Sequence, residues 1–350
     1  MGILTGNTNE FFGLDIGTNA IRLVKLSGSS HENDKRFLQT YGFVPVDPKM
    51  ALSDARADQQ QLSLLIKSLV AKSGLRTKNV AVGLPAQKVF TTVVDIERLD
   101  KEELAKTIRY QADSLIPTPI AESKIDWELL GNSPQDKTKV EILLSSIPNE
   151  YAEARLDMLE SIGLNVIAFE PDSMALTRAV VAWDANVPQM ILDMDVATTD
   201  LVIVVNGSPR LTRAIPTGSE TIVRAAAQNL NIDEAQARQF VAKFGLSQQK
   251  LEGQIFNAIS GTVDLLMAEI DKSIKFFNTR YTDLKLERII ITGGASVIPE
   301  FPVYLANRFK TNVEIGNAWR NVNYNPERQN ELLPISNQFC VAAGLAERKP

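Results

Sequence analysis

One pattern is written twice in this chain. LDIGTNAIRLVKL, Leu14 to Leu26, aligns without a gap on LDMDVATTDLVIV, Leu192 to Val204, so that Asp15 meets Asp193, Leu23 meets Leu201 and Val24 meets Val202. Each copy reads as two short apolar strands joined by a turn of small residues. A chain with one such hairpin in each half is expected to fold as two related halves. Its 350 residues exceed the roughly 100–200 of an ordinary domain, which also favours two lobes, and 44% apolar residues suffice to fill their cores.

A net charge of -5 with both signs interspersed presents no basic face, which argues against nucleic acid as a partner. The longest apolar runs, such as LVIVV, fall far short of the roughly 20 residues of a membrane helix, so the chain is not expected to be transmembrane. MGILTGNTNEFF lacks the basic and apolar regions of a secretory leader, and Gly6 stands where myristoylation wants Ser or Thr. The expected compartment is therefore the cytoplasm. Cys340 sits in the apolar run FCVAAGLA and reads as a small core residue rather than a nucleophile. His31 lies in the polar stretch SGSSHENDKR, read as a hairpin loop, which argues against histidine catalysis.

Along the chain, three strands between Phe11 and Val46 precede a helix with Leu62, Leu65, Ile66 and Leu69 at helical spacing; NVAVGLP is a further strand. From about Gln87 to Gly163 a compact βαββα run follows, with Asp100 capping its first helix and Asn149 its second. LNVIAFE then returns a strand to the first lobe. The second lobe opens at QMILDMDVATTDLVIVVNGSPRLTRAIP, with the turn signal Asn206-Gly207. Three helices follow, at Thr221–Asn229, Asp233–Phe244 and about Gly253–Arg280. A strand, a Gly-Gly turn and a helix bearing Pro299 near its start come next, and NAWRNVNYNPERQNELLP reads as a surface loop.

The hairpins suggest a chemistry. A turn offering consecutive backbone N–H groups forms an anion-binding concavity, and small residues let phosphate oxygens reach it. Gly17, Thr18 and Asn19 make one such turn, and Ala197, Thr198 and Thr199 the other. Asp15 and Asp193, at the strand ends, are placed to orient water on magnesium, which takes few protein carboxylates. Taken alone, either hairpin is equally an ordinary β-turn. The third piece is IIITGGAS, where Gly293 and Gly294 leave space for a base or ribose. Two phosphate hairpins followed by a Gly-Gly turn resemble the arrangement of the actin, heat-shock-70 and sugar-kinase ATPases. The fold class expected is therefore α/β, a two-lobed actin-like ATPase fold with an inserted small βαββα domain.

Within the bacterial actin-like proteins the chain resembles the PilM family of type IV pilus assembly proteins. The resemblance rests on IPTPIAESKIDWELLG from Ile116, GLP at Gly83, GSPRLTRAIPTGSE and EIDKSIKFF, and covers roughly Phe11 to Glu347. It implies an FtsA-like fold whose inserted SHS2 domain replaces the second subdomain of actin, with ATP and magnesium in the cleft between lobes. The lobes would run 1–86, 164–189 and 336–350 for the first, 87–163 for the insertion, and 190–335 for the second, with helices over about 219–284. The resemblance also implies a cytoplasmic protein recruited to the inner membrane, where it grips the N-terminal peptide of PilN and links the PilN/PilO complex to the pilus motor. Asp15, Gly17, Thr18 and Asn19 would form the first phosphate loop, and Asp193, Ala197, Thr198 and Thr199 the second. Gly218 would lie near the nucleotide, Glu269 and Lys272 would reach ribose and base, and Gly293 and Gly294 would complete the adenosine side. Glu170 would stand near the attacking water.

One position departs from the pattern. Asp195 stands where Gly17 stands in the first copy, and two unit charges ~4 Å apart cost on the order of 4 kcal/mol before screening. Slow or absent ATP turnover is therefore expected. Two other readings compete. A small-molecule kinase needs a carboxylate base in the cleft, and no Asp of the insertion has the Gly-rich polar context for it. An FtsA-like filament protein usually carries a C-terminal amphipathic helix, and GLAERKP does not read as one.

Overall fold

The computed structural model describes residues 10–28 and 35–349. His31 lies outside the described residues. Along the chain the elements are β1 (Phe12–Ile16), β2 (Ala20–Ser27), β3 (Phe37–Pro45), α1 (Pro48–Leu52), α2 (Arg56–Lys72) and β4 (Asn79–Leu84). There follow β5 (Phe90–Glu97), α3 (Lys101–Leu115), β6 (Ser123–Asn132), β7 (Lys139–Pro148), α4 (Asn149–Ser161), β8 (Asn165–Pro171) and α5 (Asp172–Val180). The remainder is β9 (Gln189–Met194), β10 (Thr199–Val205), β11 (Ser208–Ile215), α6 (Ser219–Leu230), α7 (Glu234–Phe244), α8 (Gln254–Arg280), β12 (Arg288–Thr292), α9 (Phe301–Phe309), β13 (Asn312–Ile315), α10 (Gln329–Leu332) and α11 (Cys340–Ala346).

The chain divides into two compact units, 1–175 with 208–212 and 342–350, and 176–207 with 213–341. Two five-stranded sheets have the orders β3-β2-β1-β4-β8 and β11-β10-β9-β12-β13. In each, a hairpin pairs antiparallel and its first strand then pairs parallel with a later one: β1 with β2 and β4, β9 with β10 and β12. The duplicated sequence is thus a duplicated sheet. Between the third and fourth strands the first sheet has α1 and α2, and the second has α6, α7 and α8. Between the fourth and fifth strands the second has only α9, whereas the first carries β5, α3, β6, β7 and α4.

That insertion builds its own three-stranded sheet, β5-β7-β6. Asp100 caps α3 by accepting from the N–H groups of Glu102 and Glu103, and Leu104, Ile108 and Ala112 at four-residue spacing are its buried face. Leu104 and Ile108 pack with Ile96, Ile142 and Leu144 in a separate core. Asn149 does not cap α4. It is the helix's first residue, and its Nδ2 instead donates to the carbonyl of Ala121 at 3.0 Å. The segment 208–212 belongs with this unit: Arg210 Nε lies 3.5 Å from Glu141 Oε2, with both side chains almost fully buried, and Thr212 Oγ1 donates to the carbonyl of Thr91.

In the second unit, Asn206 and Gly207 both take positive φ, as a two-residue hairpin turn requires. Pro299 is not in α9, which begins at Phe301 with Pro302 in its first turn. The Pro299 carbonyl accepts from Leu246 N at 2.9 Å. The polar stretch after Gly316 is a surface loop only in part: residues 325–327 and 329–331 are exposed, but its start is not. Ala318, Trp319, Val322 and Leu332 are buried, and the Trp319 indole donates to the carbonyl of Leu332 and packs against Phe339. A single anchored tryptophan can pull an otherwise polar segment onto the core. Cys340 is buried and in no disulfide.

Candidate functional site

In the first unit, Asp15 stands next to the end of β1 opposite Arg22 of β2. The turn of Gly17, Thr18 and Asn19 closes on a bond from Gly17 N to the Ala20 carbonyl at 3.1 Å. Asp15 and Arg22 are both buried and lie 3.6 Å apart, Oδ2 to Nη1. The guanidinium also donates to Asn19 Oδ1 at 3.0 Å and to the Ala20 carbonyl at 3.4 Å, holding the turn from beneath. Sequence reasoning missed Arg22, although the hairpin register, once the turn is fixed, puts it across from Asp15.

The second hairpin repeats this closing bond: Asp195 N donates to the Thr198 carbonyl at 3.0 Å, the counterpart of Gly17 and Ala20. Asp193 stands next to the end of β9, and one of its oxygens accepts from the buried Thr292 hydroxyl at 2.7 Å. Ala197 and Thr198 lie in the turn. Thr199 is already the first residue of β10, fully buried, with its hydroxyl donating to the Thr217 carbonyl at 2.7 Å. The carbonyls of Asp195 and Val196 accept from Ser219 N and Glu220 N at the start of α6. Gly218 caps that helix, and a Cβ there would stand 2.4 Å from the Val196 oxygen, so the loop can seat on the hairpin only with glycine.

The charge opposite the strand-end acid differs between copies. Where Asp15 faces Arg22, Asp193 faces Asp200. Burial, and then the neighbouring charges of Asp193 and Asp195, push the Asp200 carboxyl up to about 8, against a hydrogen bond from Thr198 that lowers it. The second hairpin thus carries acids where the first pairs an acid with a cation.

The Gly-Gly turn lies in the same unit. Gly293 has φ +79°, and a Cβ on it would meet the Met194 carbonyl at 2.3 Å and Asp193 Oδ1 at 2.8 Å, so the turn presses directly on the second hairpin. Gly294 opens a short 3-10 turn. Asn337, buried, donates to the Gly293 carbonyl and to Ser296 Oγ and so fixes the turn, a role the sequence did not signal.

On α8, Glu269 and Lys272 share a face and form an ion pair. Arg213 of β11 pairs with the other Glu269 oxygen and donates to Ser273 Oγ at 3.3 Å. The hydrogen bond from Lys272, with the charges of Lys272 and Arg213, holds the Glu269 carboxyl below its usual range. Glu170, assigned to the attacking water by resemblance, is a buried residue of β8 whose Oε2 accepts from Arg348 at 3.4 Å. Asp15, Gly17, Thr18 and Asn19 thus form one cluster in the first unit; Asp193, Ala197, Thr198, Gly218 and Gly293 form one in the second.

Among the described residues no helix is long and apolar enough to cross a membrane. The fold is similar over 97% of this chain and 99% of the other to that of a PilM-PilN type IV pilus biogenesis complex, with TM-score 0.83 and 24% identity. The ethanolamine utilization protein EutJ from Carboxydothermus hydrogenoformans has TM-score 0.57 at 14% identity, over 96% of this chain and 88% of that one. MreB5 of Spiroplasma citri bound to ADP has TM-score 0.53 at 14% identity, over 97% and 95%. The architecture is that of the actin-like ATPase fold. The model of the family described as type IV pilus assembly protein PilM matches residues 13–350, and the chain belongs to that family.

Proposed function

We propose that this chain is an actin-like scaffold of type IV pilus assembly that binds ATP with magnesium and the cytoplasmic N-terminal peptide of PilN, at the cytoplasmic face of the inner membrane. In this reading it links the PilN/PilO complex to the pilus motor, with residues 87–163 as the inserted peptide-binding domain. Family membership supports the pilus assignment, and the PilN partner is carried from the similar PilM-PilN complex. The observation that carries the nucleotide reading is the repeated turn. Gly17 N–Ala20 O and Asp195 N–Thr198 O are the same bond in two hairpins of one chain, each beside a strand-end aspartate. Such turns suit phosphate oxygens, and the actin-like relative MreB5 is bound to ADP.

Asp193 fits a carboxylate that orients a metal-bound water, because Thr292 fixes one of its oxygens. Asp15 suits that role less, since Arg22 already pairs with it. Magnesium, when bound, would neutralise phosphate charge. Glu269 and Lys272 would take the ribose and base edge, and Gly293 and Gly294 would leave room for adenosine. Turnover is slow or absent in this reading: Glu170 is held by Arg348 rather than presented to water, and Asp195 adds negative charge where phosphate would sit. The test is binding of a peptide from the cytoplasmic start of PilN to the full chain, with and without ATP. Micromolar binding supports the scaffold; no binding at that concentration, with phosphate transferred to a small molecule, favours a kinase.

A further inference from the structure

We infer that Arg213 is a positioning residue for ribose recognition: it fixes the Glu269 carboxylate so that Glu269 can accept from the vicinal hydroxyls of a nucleotide. The inference rests on the nucleotide reading above. Glu269 lies on α8, and a glutamate on a helix surface samples several rotamers that a ligand must otherwise freeze. Here one oxygen is held by Lys272 from the same helix and the other by Arg213 from β11. Arg213 is anchored in turn: its Nη1 donates to Ser273 Oγ, which itself donates to the Glu269 carbonyl at 3.0 Å. The carboxylate is thus clamped from two elements before any ligand arrives. An ionised carboxylate has about four lone-pair sites, so two cations leave acceptor capacity for a pair of hydroxyls.

Arg213 also stands on the strand that runs into the Gly218 loop. Thr217 in that loop accepts from Thr199, and Ser219 and Glu220 beyond it donate to the second hairpin. One strand therefore holds the ribose acceptor at Arg213 and, within a few residues, seats on the turn proposed for phosphate. A guanidinium suits this role better than an ammonium, since its planar fork reaches Glu269 and Ser273 at once.

The experiment measures affinities of ATP, 2′-deoxy-ATP and inorganic tripolyphosphate, each with magnesium, for the full-length chain by titration calorimetry. Arg213→Ala is expected to weaken ATP about tenfold, the scale of a lost charge-assisted contact. Tripolyphosphate affinity should stay unchanged, and the preference for ATP over 2′-deoxy-ATP should collapse. Glu269→Ala should do the same, Arg213→Lys should keep part of the preference, and the double Ala variant should be no weaker than Glu269→Ala. A purely structural Arg213 would weaken ATP and tripolyphosphate alike, or add to Glu269→Ala, and either result overturns the inference. If the wild type binds ATP and tripolyphosphate equally, the phosphate reading stands and this inference falls. If it binds none of the three, the nucleotide reading falls and takes this inference with it.

Discussion

Asp200 shows how a single position differentiates two copies of one hairpin. Its counterpart Arg22 neutralises Asp15, whereas Asp200 adds a third acid beside Asp193 and Asp195 and leaves its buried Oδ1 without a hydrogen bond. With its carboxyl pushed up to about 8 in the fold and near 3.9 in the unfolded chain, the folded state keeps a proton that the unfolded state has released between those values. Stability from this group is present below pH 4, declines as pH rises and is lost above 8. Asp200→Asn should therefore be the more stable protein at pH 8, by up to about 5 kcal/mol, with little difference at pH 4. Urea unfolding in chelator across that range checks it. At Gly293, any side chain meets the Met194 carbonyl in a left-handed backbone conformation. Gly293→Ala should cost about 2–3 kcal/mol in the same assay and weaken ATP binding. Asp195→Gly removes the charge that departs from the first copy, and its ATP affinity should rise about tenfold over wild type by calorimetry.

At the scale of elements, local signals were legible where a residue acts on its own neighbours. Asp100 caps α3, Asn206-Gly207 turns β10 into β11, and the apolar period of α2 buries Leu62, Ile66 and Leu69. They misled where a distant partner decides. Trp319 finds the Leu332 carbonyl and Phe339 and pulls a polar stretch inward, and Asn149 reaches Ala121 instead of its own helix. The candidate site divides the same way: strand-end aspartates and turn residues are written in the repeat, whereas Thr292, Asn337 and Arg213 act across 99, 44 and 56 residues of chain and leave no local trace. The Arg210–Glu141 pair belongs to this non-local class. Because both groups are nearly inaccessible, Arg210→Ala removes the buried cation beside Glu141 and should cost about 3 kcal/mol in thermal or urea unfolding, while a joint Arg210→Met, Glu141→Leu change should recover most of it.

For the whole molecule, the repeat in the sequence becomes a repeat in topology: two sheets of matching strand order, each opened by a hairpin with the same turn bond. The copies then diverge by what is inserted between equivalent strands, a three-stranded domain in one and a helical group in the other. Under the proposed function, the matching hairpins and the differing insertions would serve different ligands. The central proposal is that the hairpin turns receive nucleotide phosphate. Calorimetric titration of the full chain with ATP and magnesium tests it, using wild type, Gly17→Val in the first hairpin and Gly218→Val against the second. The account predicts one ATP per chain and a loss of about tenfold or more in each variant. A wild type that binds no ATP, or binding that survives the change at either hairpin unaltered, would contradict it.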